Sequence, residues 1–188
     1  MGVTISSPAR AGKERRDLEV GSYRLIHNLR SMCAVLFARR ILTEFPDERA
    51  LADELIESLV SNKDESSERD RDYGEDTPER LDEILSDPDR FDLAPDYEYW
   101  RETRDSLPRF VYGERAGFSV WKGLVSWIDC SDADARHSAG EVLDIATMFA
   151  FVLPGIRKMP KSDTKTALTE IAGFYRTAWK EGREVEFN

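Results

Sequence analysis

The sequence predicts an all-α protein, a single-domain helical bundle of about six helices with an extended arm at each end. Three observations carry that reading. Residues 21–45 repeat apolar side chains at helical spacing, with Ile26, Leu29, Cys33, Phe37, Ile41 and Phe45 on one stripe. A second run, residues 142–153, is almost wholly apolar. Elsewhere proline, glycine and capping residues mark helix ends at close intervals.

Residues 1–20 are polar, lack periodicity and read as a flexible basic arm carrying Arg10, Lys13, Arg15 and Arg16. The opening MGVTIS fits the short pattern for N-myristoylation at Gly2, a pattern that ordinary solvated termini also meet. The helical domain is read over 21–182. In its first helix Leu25, Met32 and Leu36 widen the stripe, and SMCAVLFA between Arg30 and Arg39 is apolar on nearly every face. A helix apolar all round is buried against several neighbours. The run is too short to span a bilayer, which needs about 20 apolar residues. This is therefore the expected central helix, with Arg24, Arg30, Arg39 and Arg40 snorkelling to water.

Pro46 cannot continue that helix and suits the first turn of the next, where Asp47 and Glu48 favour the positive dipole end. Leu51, Ala52, Leu55, Ile56 and Leu59 form its inner face, and the short connection makes the two helices an antiparallel pair. Residues 61–77 are acidic, nearly devoid of apolar side chains, and read as a surface loop. Thr77 caps a short helix with Pro78 at its first position and Leu81, Ile84 and Leu85 inward. A further helix over 96–107 turns Tyr97, Trp100 and Leu107 to the core.

Residues 108–129 fit two periodicities. Phe118, Trp121, Val125 and Ile128 share a helical face, while Phe110 with Tyr112, and Phe118 with Val120, alternate as in a strand. Helix is the reading from Gly117 onward. Ser131 or Asp132 is expected to cap the next helix, and Pro154-Gly155 to stop it. The last helix begins near 160–162 and ends at Gly182, with Leu168, Ile171, Tyr175, Ala178 and Trp179 inward. The tail 183–188 alternates, placing Val185 and Phe187 on one side as a second arm.

The net charge is −10, from 37 acidic against 27 basic residues. An acidic surface argues against generic nucleic-acid binding by the whole domain, and would also suit a high-salt cytoplasm. The two cysteines form no disulfide framework, so a reducing compartment is expected. No apolar leader opens the chain. Localisation is expected to be cytoplasmic, or within a particle assembled inside the cell, with no membrane span.

Chemistry-bearing groups are few. His137, Glu141, Asp144 and Met148 would share one helix face, but a helical metal site needs more than one helix to supply ligands, and no Glu-x-x-His is present. Cys130 with His137 is the other candidate, a thiol before a helix start with a base two turns on. The acids Asp129, Asp132 and Asp134 would raise that thiol's pKa. His27 and Cys33 face different sides of their helix. No phosphate loop, dinucleotide fingerprint or nucleophile elbow occurs. No cofactor, metal or small-molecule substrate is therefore expected.

Trp100, Trp121, Trp127 and Trp179 read mainly as core, while Tyr97, Tyr99 and Trp100 lie on more than one face and favour an interface anchor. The functional expectation is a non-catalytic structural, assembly or adaptor subunit, analogous in form to a viral connector. Its protein partners would be engaged by Arg10, Lys13, Arg15, Arg16, Tyr99, Val185 and Phe187. A helical subunit of a ribonucleoprotein, with Arg15, Arg16, Arg24, Arg39 and Arg40 on phosphates, is the alternative. An enzyme with carboxylate chemistry is third.

Overall fold

The computed structural model describes residues 2–9, 12–61, 77–104, 110, 120–130 and 135–188. Arg10, the acidic stretch 62–76, the segments 105–109 and 111–119, and the expected capping residues Ser131 and Asp132 lie outside the described residues.

The central helix is α1, Tyr23–Glu44, capped by the Ser22 hydroxyl, which accepts from the Leu25 amide at 3.2 Å. From Asn28 to Ala38 every residue is buried, as an all-round apolar helix requires. Arg30 is included, with no exposure at all, so it does not snorkel as expected. A single 3-10 turn at Pro46–Glu48 leads into α2, Arg49–Glu57, which folds back along α1. Helix α3, Thr77–Ser86, presents Leu81 and Ile84 to the core. Helix α4, Tyr97–Thr103, is capped by the Asp96 carboxylate, which accepts from the Glu98 and Tyr99 amides.

Helix α5, Val120–Ile128, agrees with the helical reading of this segment and buries Trp121, Leu124 and Trp127. Helix α6, Ala139–Lys158, starts later than expected, at a capping box of Ser138 and Glu141. It also runs on through Pro154. A proline removes one helical hydrogen bond, that of the Ala150 carbonyl; Ala150 is exposed, so water can serve that oxygen. Arg40 donates to the neighbouring Phe151 carbonyl. Helix α7, Asp163–Lys180, is capped by Ser162, and the Asp89 carboxylate accepts from the Asp163 and Thr164 amides at 2.9 and 3.0 Å. Leu168, Ile171, Tyr175 and Ala178 are buried as expected, but Trp179 is 46% exposed.

The fold is mostly helical, yet it is not purely so. The expected arms are strands. β1, Gly2–Ser7, and β2, Arg16–Ser22, form an antiparallel hairpin. β1 also pairs with the C-terminal strand, Val185–Phe187, with Ile5 opposite Phe187. That strand pairs in turn with Arg136–His137. Numbering a short Leu59–Ser61 strand as β3, its antiparallel partner Leu93–Pro95 as β4, Arg136–His137 as β5 and Val185–Phe187 as β6, the larger sheet has the order β2-β1-β6-β5.

The arms fold in because their alternation is apolar on one side. Val3, Ile5, Val20, Val185 and Phe187 are all buried in one contiguous core with the helices. At the end of α7, Gly182 has φ +63°, the left-handed conformation that favours glycine at a helix stop. The Arg183 amide then reaches back to the Ala178 carbonyl at 2.9 Å, turning the chain into β6.

Across α1 and α6 the two apolar runs meet. Cys33, Phe37, Met148 and Phe149 are buried, and the Phe37 and Phe151 rings lie 4.8 Å apart. By length and composition α6 alone among the described helices could cross a bilayer. Here its apolar residues serve the core, with Val142, Ile145, Met148, Phe149, Val152 and Ile156 buried.

Candidate functional site

The residues expected to reach partners are held by the chain itself. Lys13 and Arg16 lie 3.6 and 3.5 Å from the Glu181 carboxylate. Arg15 pairs with Asp17 at 2.8 Å and donates to the Ser6 hydroxyl. Buried Arg183 donates to the backbone carbonyls of Pro8 and Glu14 and sits 2.8 Å from Glu181, tying the basic segment to the end of α7. The Tyr99 hydroxyl donates to Glu54 at 2.8 Å. Val185 and Phe187, 0% and 2% exposed, are core residues and are closed to a partner in this fold. Arg10 is outside the described residues.

The five arginines considered for phosphate contacts each have a carboxylate neighbour. Arg15 meets Asp17, Arg16 meets Glu181, Arg24 meets Asp92, Arg39 meets Asp82 and Arg40 meets Glu44.

Two polar clusters centre on buried side chains, Arg30 and His137. In the first, the Arg30 guanidinium donates to the Tyr97 hydroxyl at 3.3 Å and to Cys130 Sγ at 2.6 Å. It lies 6.0 and 5.7 Å from the Trp127 and Phe187 ring centres, close enough for cation–π attraction. Tyr97 is also hydrogen-bonded to His27 Nδ1. Arg30 thus joins α1, α4, the end of α5 and β6. The same thiol is also directed to the Trp127 carbonyl at 3.3 Å. In the second cluster His137 Nδ1 meets the Tyr175 hydroxyl at 2.8 Å.

The Cys130–His137 pair weighed from the sequence is consequently not formed. Burial is the main force that lowers the His137 pKa to about 4, with Arg30 and Arg104 adding to it and Glu141 opposing. Burial also pushes the Cys33 thiol well above its usual range. The expected line of His137, Glu141, Asp144 and Met148 does not exist as a helix face, because His137 belongs to β5 and α6 begins after it.

What the sequence reading missed lies on α6. Its outward side carries Leu143, Thr147, Ala150 and Pro154, at helical spacing, with Ala150 and Pro154 exposed. The Thr147 hydroxyl is satisfied within the helix by the Leu143 carbonyl at 2.8 Å. Between Asp144 and Arg157 no residue is charged. Charged residues make up 34% of the chain, so an uncharged surface strip on a long helix is a local departure, and that departure was the signal available in the sequence.

The strip opens at its C-terminal end into a groove of about 280 Å³. Leu36, Leu85, Val152 and Met159 give the groove an apolar floor, and Arg39, Arg40 and Lys158 stand around it. Gly155 lies in the same wall, and a Cβ there would come within 2.8 Å of Leu36. At the other end of the strip, half-burial raises the Asp144 pKa, with Lys122 opposing and Glu141 adding. The arrangement is an uncharged strip on the outward side of α6 that ends in a groove edged by Arg39, Arg40 and Lys158.

No family model, characterised protein or solved structure matches this chain.

Proposed function

We propose that the protein is a non-catalytic assembly or adaptor subunit that binds other protein chains through the outward face of α6. The observation that supports this reading is the uncharged strip Leu143–Thr147–Ala150–Pro154 on a highly charged chain, continuous with the apolar groove beside Lys158. Protein interfaces lose charge at their centre and keep polar groups at the rim. The viral-connector analogy drew on the two arms, the small helical body and the lack of an active-site motif, and both arms contribute strands to the sheet. The adaptor reading therefore stands on α6 rather than on the termini. The carboxylate pairing of Arg15, Arg16, Arg24, Arg39 and Arg40 favours it over a phosphate-binding role.

The test places a charge in the centre of the strip. Ala150→Arg at this exposed position should change stability by no more than about 0.5 kcal/mol. A tagged wild-type chain in extracts of its native cells should sediment well above its own 21.5 kDa. The Ala150→Arg chain should sediment as a folded monomer. A wild-type chain that sediments as a monomer in the extract overturns the reading.

A further inference from the structure

We infer that the groove between α1, α3 and α6 binds a small anionic amphiphile: a free monocarboxylate whose head meets the cations at the rim and whose apolar tail lies along the floor. The inference does not rest on the reading of the α6 face, because the walls of the groove come from three helices and the strip from one.

The floor fixes the tail. Leu36, Val152 and Met159 are buried and Leu85 is half-buried, and all of them line the groove of about 280 Å³. At about 30 Å³ for a water-sized group, that volume takes an alkyl chain of roughly eight to ten carbons. It lies at the small end of ligand pockets. The Thr43 hydroxyl, which also lines the groove, donates to the Arg39 carbonyl of its own helix at 2.8 Å. Helical walls offer no row of free backbone groups, so an extended peptide would leave its own amides unserved there. An alkyl tail has none to serve.

The rim fixes the head. Arg40 is held in place: its Nε meets Glu44 at 2.9 Å, its guanidinium lies 4.1 Å from the centre of the Phe151 ring, and it donates to the Phe151 carbonyl. Arg39 pairs with Asp82 at 3.0 Å, and both side chains are open to solvent. Lys158 is exposed and has no ion-pair or hydrogen-bond partner among the described residues. Its place at the end of α6 does not account for it. The terminal carbonyls there, those of Arg157 and Met159, accept from Lys165 Nζ at 3.0 and 2.6 Å. Three cations thus stand against two carboxylates, Glu44 and Asp82, and leave one positive charge in excess. That excess is local, on a chain whose net charge is −10. A head with one negative charge neutralises it. A phosphate monoester, which carries nearly two, would place the surplus beside Glu44.

Decanoate below its micellar concentration, titrated into the full chain in a calorimeter, should bind at one saturable site. Decanol has the same tail without the charge, and decyltrimethylammonium has the same tail with the opposite charge. Each should bind about tenfold more weakly or worse. Lys158→Glu should weaken decanoate about tenfold and leave decanol unchanged, a split that damage to the apolar floor would not give. Thr43→Trp, at an exposed position, fills the groove and should abolish binding of both. Circular dichroism on each variant identifies loss of folding. Ala150→Arg lies outside the groove and should bind decanoate as the wild type does, so failure of the protein-binding reading leaves this one standing. Three outcomes overturn the inference: no saturable binding of decanoate, decanol bound as tightly as decanoate, or a folded Lys158→Glu chain with undiminished affinity for decanoate. Capture by vesicles of anionic phospholipid without any binding of monomeric decanoate also overturns it, since the cations would then serve a membrane surface.

Discussion

Arg30 and His137 carry ionisable groups into places where water is absent, being 0% and 3% exposed. Neither setting was legible from the sequence. Arg30 sits among four arginines on the first helix, and only the fold brings Tyr97, Cys130, Trp127 and Phe187 around it. His137 stood near a plausible helix start, so its strand pairing with Val185 was hidden. Its burial makes a pH prediction. The folded pKa is about 4, against an ordinary value of 6.5. Between those values the unfolded chain binds the extra proton, so stability falls as pH falls. The contribution is complete above pH 6.5 and gone near pH 4, a difference of about 3 kcal/mol. His137→Asn should lose that component while keeping the general acid sensitivity of the carboxylates. Urea titrations of both chains at pH 7.5 and 4.5 test it: parallel losses in the two would show that His137 is not held neutral by the fold.

Among the elements, the helices follow the sequence pattern closely and the strands do not. The apolar runs of α1 and α6, and the start near 160–162 and the stop at Gly182 of α7, were readable because helical periodicity over many residues leaves few alternatives. Strands of two to seven residues offer no such length. The alternation Val3–Ile5 is too short to outweigh the polar residues around it. Helix α6 outran its proline because Arg40 and the packing of Gly155 against Leu36 hold the last turns in place. The contact between α5 and α6 is closer still. A Cβ on Gly123 would lie 2.1 Å from the Asp144 carbonyl oxygen and 2.8 Å from the Met148 Cβ. The two backbones touch there, and neither can yield without moving its helix. Gly123→Ala should therefore destabilise by about 2–3 kcal/mol, in the range of core overpacking. Gly173→Ala, exposed on α7 with nothing within 4 Å of an added Cβ, should be neutral or stabilise by up to about 1 kcal/mol. Denaturation midpoints that move together would mean that the α5–α6 crossing is looser than this packing.

At the scale of the whole molecule, the two termini close the structure. The sequence shows two polar ends with slight alternation, and nothing local says that they find each other, since pairing Ile5 with Phe187 is a contact across nearly the full chain. Once paired, the N-terminal hairpin, β6 and β5 share the helical core. Phe187 packs beside Trp127 and His137, with ring centres 6.2 and 5.6 Å away, and under the Arg30 guanidinium. Around this seam Arg183 holds the Pro8 and Glu14 carbonyls while Glu181 gathers Lys13, Arg16 and Arg183. A tail serving only as an anchor for another subunit would be dispensable to the monomer, and this one is not. Phe187→Ala should cost about 3–5 kcal/mol, as removal of a buried aromatic does, because it opens a cavity and strips a ring from a buried cation. That is a large share of the 5–15 kcal/mol that holds a typical domain together. Its effect should spread beyond the sheet, since the ring belongs to the same contiguous core as α1, α5 and α7. Tryptophan fluorescence, dominated by the buried indoles, and far-ultraviolet dichroism, dominated by the helices, should shift to the same lower urea midpoint. A wild-type midpoint would return the tail to the role of a free arm. A fluorescence transition that separates from the helical one would mean that the sheet and the bundle unfold as two units.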